Sequence, residues 1–292
     1  MSNAPFHAPP TVFPNHLTLM VQDMEKQKQF YTKQLGLTVI QESQTELYLG
    51  ANGEDALLTL KTTAGVADKS PRQLGLFHVA FLLPNRELLG QLVYHLLENN
   101  YPVQGASDHL VSEAFYLADP EGNGIELYAD RPAASWSYHS GQVVMATERL
   151  DVDGLLAVRE QAPFSVLPTH TRIGHLHFHV HNLDDIRHFY ENGLGFAVMT
   201  TYGDQALFMA QANYHHHLAF NLWAGTNAPR RSERQIGMIS YSLMYPDEHT
   251  RTQAVERLRA LGYSLQDSPT FVVIDPAGAH VELSVADARS SR

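Results

Sequence analysis

The sequence predicts an α+β fold in which four βαβββ modules pair into two curved half-barrel domains. The second half of the 292-residue chain repeats the first, and each half contains two segments that resemble each other. Every segment is predicted to contain an alternating strand, a helix-like stretch and several short strands. One module has too little sheet to bury its own face, so modules are expected to pair around a cavity.

The first and third modules open on matching strands. His16 stands in Asn15–Val21, and His175 stands 159 residues later in Gly174–Val180. The helix-like stretches that follow keep the same spacing. Their shared motifs are Phe30-Tyr31 and Leu35-Gly36-Leu37 in the first module, and Phe189-Tyr190 and Leu194-Gly195-Phe196 in the third. This repeat predicts two modules of the same fold.

The second and fourth modules match in the same way. Gly75–Pro84 resembles Gly237–Pro246 at an offset of 162 residues, and the turn Asp119–Glu126 resembles Asp275–Glu282 at an offset of 156. The smaller second offset indicates that the first half carries extra residues before its turn. They fall in the stretch that contains His109.

The repeats divide the chain into two predicted domains and a connector. Residues 1–132 form the N-terminal pair of modules, and residues 173–292 form the C-terminal pair. The connector, 133–172, contains a helix-like stretch, Asp153–Glu160, with Pro132 before it and Pro163 and Pro168 after it, which is typical of a segment between domains. A hydrophobic content of 44% is enough for one buried core in each domain.

The composition argues against several classes of function. The net charge is −11 and no run of Lys or Arg interrupts it, so nucleic acid and anionic membranes are not expected as partners. No apolar run approaches the roughly 20 residues that span a bilayer, so a cytoplasmic protein is expected. The chain has no Cys and 17 His, which leaves His, Asp and Glu as the available metal ligands.

One strand carries alternating histidines. Side chains alternate between the two faces of a strand, so His175, His177 and His179 share one face while the other face is apolar. The apolar face is expected to pack under a helix, which places the histidines in the cavity. In the predicted strand Tyr214–Trp223, which contains three consecutive histidines, the same alternation predicts that His217 faces the cavity and His216 does not.

Superposition of the two halves predicts two alternative sets of metal ligands. The matching positions are His16 with His175, Leu57 with His217, His78 with Ser240, and Glu126 with Glu282. The first set is His175, His217 and Glu282, and the alternative set is His16, His78 and Glu126. Two imidazoles and one carboxylate leave open positions on an octahedral metal, as in non-haem Fe(II) oxygenases, and the same donors suit Mn, Zn, Ni or Co.

These motifs resemble those of the vicinal-oxygen-chelate superfamily, which includes glyoxalase I, extradiol dioxygenases and bleomycin resistance proteins. The resemblance covers nearly the whole chain and is strongest to the bacterial two-domain catechol 2,3-dioxygenase type. It is carried by Gly75–Pro84, Asp108–Tyr128, Ile173–Val180 and Tyr214–Gly225. It implies the glyoxalase/extradiol dioxygenase fold and the metal-dependent cleavage of catechol-like diols by O₂, with Fe(II) as the expected metal.

The sequence departs from the dioxygenase pattern at one ligand position. The usual second His of the catalytic domain is Ser240 here, and His217 is its expected replacement. A third arrangement is also open. If modules two and three close one barrel, the four ligands would be His78, Glu126, His175 and His217. Four ligands would suit an isomerase or lyase better than a dioxygenase, and the sequence does not decide which half carries the site.

A neutral imidazole beside the metal is expected to accept the diol proton and return it later. The candidates for this role are His177, His179 and His109, and the candidates for an aromatic pocket wall are Trp223 and Tyr241. The expected partners are an aromatic diol and O₂, in a monomer or a homodimer. The alternative functions are a glyoxalase-type lyase or isomerase, and a metal-free protein that sequesters a small molecule.

Overall fold

The structure is a computed structural model, and it describes residues 4–267 and 270–285. All four modules are present, each with a long opening strand, a helix and three shorter strands. Strands β1 to β18 are, in order, Phe13–Met20, Thr38–Glu42, Glu46–Gly50, Leu58–Lys61, Gly75–Leu82, Gly105–Asp108, Ser112–Ala118, Gly124–Asp130, Tyr138–His139, Gln142–Val143, Arg172–His179, Ala197–Tyr202, Ala206–Ala210, Leu218–Asn221, Gly237–Tyr245, Leu265–Gln266, Phe271–Ile274 and His280–Val285. Helices α1 to α5 are Met24–Gln29, Arg86–Glu98, Val152–Ala157, Leu183–Arg187 and Glu248–Ala260. Wider π-helical turns, Phe30–Gln34 and His188–Gly193, continue α1 and α4, and single 3₁₀ turns lie at Ala4–His7 and Ala133–Ser135.

Two eight-stranded sheets carry the fold. One has the order β16-β17-β18-β15-β1-β4-β3-β2, and the other has the order β12-β13-β14-β11-β5-β8-β7-β6. At the centre of each sheet two opening strands run antiparallel, β1 with β15 and β11 with β5. Module one therefore pairs with module four, in what we name the 1–4 barrel. Module two pairs with module three, in the 2–3 barrel.

The sheets correct one sequence expectation. The α+β class and the two curved half-barrels are confirmed, but the sheet hydrogen bonds join modules from opposite halves rather than the two modules within 1–132 or within 173–292. The repeat could not decide this, because every module offers a similar long opening strand that can pair with any other. The topology follows the third arrangement, in which modules two and three close one barrel.

The repeated Phe-Tyr motif holds the two modules of each half together. Tyr31, from module one, donates its hydroxyl hydrogen to Asp119 Oδ2 in the turn of module two at 3.1 Å. Tyr190 donates to Asp275 Oδ2 in module four at 2.8 Å. Burial raises the pKa of both tyrosines well above the usual range, which keeps them protonated donors. The motif thus links modules within a half, while the sheets link modules across halves.

The long helices form where the sequence supplies a cap and an apolar face. Asn85 begins α2 and Asp247 begins α5, and each side chain accepts a backbone N–H of the first turn. Leu89 and Leu92 of α2 are fully buried in the core between helix and sheet. Among the described residues, no helix is both long and apolar enough to cross a bilayer. The helices pack against one face of each sheet, and in the second sheet the opposite face carries a separate cluster of Ala80, Leu82, Ala114 and Tyr128.

Candidate metal centre

Three strands of the 2–3 barrel bring ligand side chains to one point. His78 lies on β5, Glu126 on β8 and His175 on β11. Ala80 of β5 pairs with His175 of β11 on one side and with Glu126 of β8 on the other. The side chains of His175 and Glu126 therefore meet over the small methyl group of Ala80. His78 precedes Ala80 by two residues and therefore projects from the same face of the sheet.

The three side chains are close together and buried. Nε2 of His78 lies 3.1 Å from Oε2 of Glu126, and Nε2 of His175 lies 3.2 Å from the same oxygen. One candidate ligand atom from each residue lies within 4.8 Å of the other two. The exposed fractions of His78, Glu126 and His175 are 6%, 3% and 2%. Two imidazoles and one carboxylate are the donor set of a 2-His-1-carboxylate metal centre.

The protonation states of two of these groups suit metal binding. Burial disfavours the charge of Glu126, but the imidazoles of His175 and His78 hold the pKa of this carboxyl well below its usual range. Burial also lowers the pKa of His175 to about 4, against the opposing effect of Glu126. At neutral pH the centre therefore presents an ionised carboxylate and a neutral imidazole, which are the forms that bind metals.

Unpartnered nitrogen atoms indicate that a further group belongs at this point. Nε2 of His78 is buried and has no hydrogen-bond partner among the described residues, because its contact with Glu126 is not aligned as a hydrogen bond. Nδ1 of His175 has none there either. Buried polar atoms are nearly always satisfied. A divalent metal held by His78, Glu126 and His175 would satisfy the His78 nitrogen and compensate the buried carboxylate, so the residues fit a metal.

Two of the predicted catalytic histidines lie beside this centre. His177 is buried, and its ring centroid lies 4.9 Å from that of His78. Asn221 on β14 donates from Nδ2 to His177 Nε2 at 2.9 Å, and its Oδ1 accepts from His179 Nδ1 at 2.6 Å. These bonds place the ring hydrogen of His177 on Nδ1. Burial lowers the pKa of both histidines, so they are neutral at pH 7.

The third predicted catalytic histidine, His109, supports a tyrosine of the centre. Nδ1 of His109 donates to the carbonyl oxygen of Ala146 at 2.7 Å, so its Nε2 accepts from the Tyr116 hydroxyl at 2.6 Å. Tyr116 pairs with Glu126 across β7 and β8. Burial and the charge of Glu126 raise the pKa of Tyr116 well above its usual range, so its hydroxyl keeps its hydrogen.

Aromatic rings lie beside the centre. Phe77 packs against His177 and His179 at centroid distances of 5.2 and 4.6 Å. Trp223, predicted as a pocket residue, stands edge-on to Phe77 and His177 and is 48% exposed, which places it at the mouth. The ring centroid of Phe208 lies 5.8 Å from that of His177. Flat apolar walls of this kind suit an aromatic ligand.

The structure places His216, rather than His217, beside the ligands. The His216 ring centroid lies 4.1 Å from that of His175. His217 Nε2 instead donates to the carbonyl oxygen of Phe6 at 2.8 Å, and its Nδ1 accepts from the backbone of Gln211 at 3.3 Å. Both ring nitrogens of His217 therefore make hydrogen bonds outside the candidate metal centre. The prediction failed because β14 begins only at Leu218, so strand alternation does not apply to the preceding histidines.

Three further predicted residues also lie away from the centre. Glu282 is in the 1–4 barrel, where it accepts from the Ser240 hydroxyl at 2.6 Å, and His16 of the same barrel contacts Thr59 Oγ1 at 2.8 Å. Tyr241 is fully buried in the core, with its hydroxyl 2.5 Å from that of Tyr190. Neither proposed set is brought together as a whole. The centre combines His175 of one set with His78 and Glu126 of the other, because the barrels cross the repeat.

Sequence reasoning missed three residues around the centre, His216, Tyr116 and Asp130. Asp130 accepts from His215 Nε2 at 2.9 Å. A signal for Asp130 was present, because strand alternation places residues 126, 128 and 130 of β8 on one face. Tyr116 required knowledge of the β7–β8 register, which the sequence alone does not give.

The half-barrel with a buried His-Glu-His centre defines a class of metal-binding proteins, and sequence comparison identifies the family. The profile of the Glyoxalase/Bleomycin resistance protein/Dioxygenase superfamily matches residues 14–127 and 172–287. The chain belongs to this superfamily. The two matched ranges correspond to the two halves of the internal repeat, and the resemblance predicted from the sequence is confirmed.

Two relatives and one solved structure show how the similarity is distributed. Catechol-2,3-dioxygenase of Bacillus subtilis (strain 168) is 37% identical over 268 residues, which cover 90% of this chain and 94% of that protein. Biphenyl-2,3-diol 1,2-dioxygenase 3 of Rhodococcus globerulus is 30% identical over 139 residues, which cover 44% of this chain and 70% of that protein. The crystal structure of glyoxalase I from Zea mays superposes with a TM-score of 0.57 at 14% identity, covering 93% of this chain and 92% of that chain. The last comparison shows a shared fold alone.

Proposed function

We propose that the protein is a metal-dependent extradiol dioxygenase that cleaves the ring of catechol-like aromatic diols with O₂. The observation that carries the proposal is the buried centre of His78, Glu126 and His175 beside aromatic rings. The 37% identity to a catechol-2,3-dioxygenase over 90% of the chain supports the same chemistry. Fe(II) is the proposed metal, since a 2-His-1-carboxylate centre with open positions is typical of non-haem Fe(II) oxygenases.

The metal and the protein contribute different parts of this reaction. Fe(II), when bound, supplies electron transfer between the diol and O₂. In the overall reaction the ring bond beside the diol breaks, and both atoms of O₂ enter the product. The chain's own residues must orient the diol and hold its proton. His216 is suited to accept that proton, because its ring lies against that of His175 and a neutral imidazole presents one ring nitrogen with a lone pair. Burial lowers the pKa of His216, which keeps the ring neutral.

Other neighbours offer hydrogen-bond donors at the same wall. The hydrogen on Nδ1 of His177 is fixed by Asn221, and the Tyr116 hydroxyl is held by His109. Such donors can stabilise negative charge that develops on a substrate oxygen. Phe77 and Trp223 beside the centre would pack against the ring of the diol and limit the access of water. The proposed role for His177 and His109 is therefore orientation and charge stabilisation.

The glyoxalase-type alternative depends on a four-ligand centre. That arrangement needs His217 as the fourth ligand, together with His78, Glu126 and His175. His217 donates to Phe6 and accepts from Gln211, so its nitrogens serve the packing of the N-terminal segment. Three ligands support the dioxygenase proposal better than the isomerase or lyase.

The experiment is anaerobic loading with Fe(II), elemental analysis, and oxygen uptake with catechol and substituted catechols. Glu126→Gln is compared with its matched control, Glu282→Gln, at the same strand position of the other barrel. We expect about one iron per chain and oxygen uptake in the wild type and in the control, with both lost in Glu126→Gln. Bound iron with no oxygen consumed on any diol would overturn the proposal. Metal-independent binding of the diol without turnover would favour the sequestering function.

A further inference from the structure

A chain of three buried groups leads from the end of β8 to the centre. Asp130 Oδ1 lies 2.9 Å from His215 Nε2, and both side chains are fully buried. His215 Nδ1 lies 2.8 Å from Nδ1 of His216. The ring of His216 in turn lies against His175, at a centroid distance of 4.1 Å. The order of contacts is therefore carboxylate, imidazole, imidazole, metal ligand.

Each hydrogen bond in this chain has a defined donor and acceptor. An ionised carboxylate can only accept, so His215 must carry its hydrogen on Nε2 to bond Asp130. When His215 carries only this one ring hydrogen, its Nδ1 presents a lone pair. The contact between the two Nδ1 atoms then requires the hydrogen to belong to His216. The remaining nitrogen of His216, Nε2, is left with a lone pair, and among the described residues it makes no hydrogen bond.

The carboxylate at the start of this chain is itself held in place. Asp130 accepts a second hydrogen bond from the Tyr214 hydroxyl at 3.1 Å, and Tyr128 contacts that hydroxyl at 2.8 Å. Alternation along β8 places Glu126, Tyr128 and Asp130 on one face. A single strand therefore carries both a metal ligand and the group that orients the neighbouring histidines.

We infer that Asp130, acting through His215, fixes His216 in the tautomer with hydrogen on Nδ1 and a lone pair on Nε2. This makes Asp130 and His215 positioning residues for the imidazole that accepts the substrate proton, and in that respect the inference rests on the proposed function. A His216 ring with hydrogen on Nε2 could not accept a proton there. The same logic orients the histidine of an Asp-His pair in hydrolases, where loss of the aspartate charge gives the wrong tautomer.

The direct test is the tautomeric state of His216 in the wild-type protein. Long-range ¹H–¹⁵N spectra of the imidazole rings are recorded on ¹⁵N-labelled protein loaded with diamagnetic Zn(II), and His216→Gln identifies the signals. We expect hydrogen on Nδ1 of His216 and on Nε2 of His215. Hydrogen on Nε2 of His216, or a doubly protonated His215, would overturn the inference. This measurement needs no substrate, so it is independent of the proposed reaction.

The second test is Asp130→Asn, with Tyr214→Phe as the matched control that removes the other hydrogen bond to the same carboxylate. We expect Asp130→Asn to shift His216 toward hydrogen on Nε2 and to lower kcat by about 10²- to 10⁴-fold with KM little changed. Tyr214→Phe should keep the wild-type tautomer and lose less activity. Lost activity with an unchanged tautomer and full metal content would contradict the inference. If Asp130→Asn does not fold, the wild-type spectra decide, and correct tautomers without oxygen uptake would sink only the proposed function.

Discussion

The two barrels place different chemistry at matching strand positions. The residues of the 2–3 barrel are His78, Glu126 and His175, and their counterparts in the 1–4 barrel are Ser240, Glu282 and His16. In the 2–3 barrel two imidazoles point at one carboxylate oxygen, and one of them lacks an aligned partner. In the 1–4 barrel the Ser240 hydroxyl donates to Glu282 and His16 turns to Thr59. Ser240, Glu282 and His16 thus each have a hydrogen-bond partner within the 1–4 barrel.

This difference teaches that a single position, His78 in one barrel and Ser240 in the other, distinguishes a candidate metal centre from a set of polar side chains that are hydrogen-bonded without a metal. A serine hydroxyl can donate to the carboxylate and complete its hydrogen bonding, whereas a neutral imidazole in the same position presents a lone pair. Both barrels keep the glutamate, so the carboxylate alone does not make the centre. The predictions that follow change one barrel toward the other.

The largest effect is expected when His78 is replaced by the residue of the other barrel. In His78→Ser the new hydroxyl should donate to Glu126, as Ser240 does to Glu282. Loss of a residue that hydrogen-bonds to a metal ligand lowers metal affinity or activity by about 10- to 100-fold. Loss of the ligand His78 itself should lower metal affinity and oxygen uptake by more than that. Elemental analysis and oxygen uptake measure both. His16→Ser is the control and should retain metal, and a fully loaded, active His78→Ser protein would show that His78 is not a ligand.

A second prediction concerns the Asp-Pro turn of the 1–4 barrel. Burial raises the pKa of Asp275 to about 6, against the opposing hydrogen bonds from Ala279 and Tyr190. The folded protein therefore binds the carboxyl proton of Asp275 more tightly than the unfolded chain does. The contribution of this raised pKa to the free energy of unfolding is fully present below about pH 4. It is lost as pH rises toward 6, by up to about 3 kcal/mol.

Denaturant unfolding between pH 4 and 7 measures this dependence. Asp275→Asn should remove the corresponding part of the slope, whereas the exposed Glu256→Gln should leave it unchanged. An identical slope in Asp275→Asn and the wild type would show that the carboxyl titrates normally. Asp119 at the matching turn accepts from both backbone and side-chain nitrogens of Asn123, so Asn123→Ala makes that turn resemble its counterpart.

The reverse substitution should build a second, weaker centre. In Ser240→His the new imidazole would join His16 and Glu282 in the 1–4 barrel. We expect a second metal equivalent that binds about 10- to 100-fold more weakly than the first, because no outer partners orient the new ligand. Metal titration followed by calorimetry measures it. Adding His16→Ala to Ser240→His should remove the second equivalent, and a second equivalent that persists would place the metal elsewhere.

The smallest effect is expected at the mouth of the 2–3 barrel. Trp223→Ala removes a ring that stands edge-on to Phe77 and His177. If aromatic diols pack there, KM should rise by about 2- to 10-fold, the size of one aromatic contact, with kcat less affected. Steady-state oxygen uptake separates the two constants. Trp223→Phe should recover most of the loss, and equal KM values in all three proteins would exclude this ring from the binding site.

The sequence predicted the modules and the types of ligand better than their grouping. Strand alternation correctly put His175, His177 and His179 on one face, because β11 pairs with β14 in unbroken register from Leu176 to His179. It failed at His217, because irregular backbone with positive φ at Ala212 and Asn213 precedes β14. The grouping of His175 with His78 depended on which opening strands pair, and four similar strands leave that choice to packing over long distances in sequence.

The crossed pairing of modules also governs the order in which the molecule can be completed during synthesis. The centre joins β5 and β8 from the first half to β11 from the second, so a growing chain cannot hold the full ligand set before residue 175 has emerged. The 1–4 barrel waits longer still, because Leu17 of β1 pairs with Tyr241 of β15. Contacts so distant in sequence make folding slow: β1 can pair with β4 early, but it stays without β15 until nearly the whole chain is made.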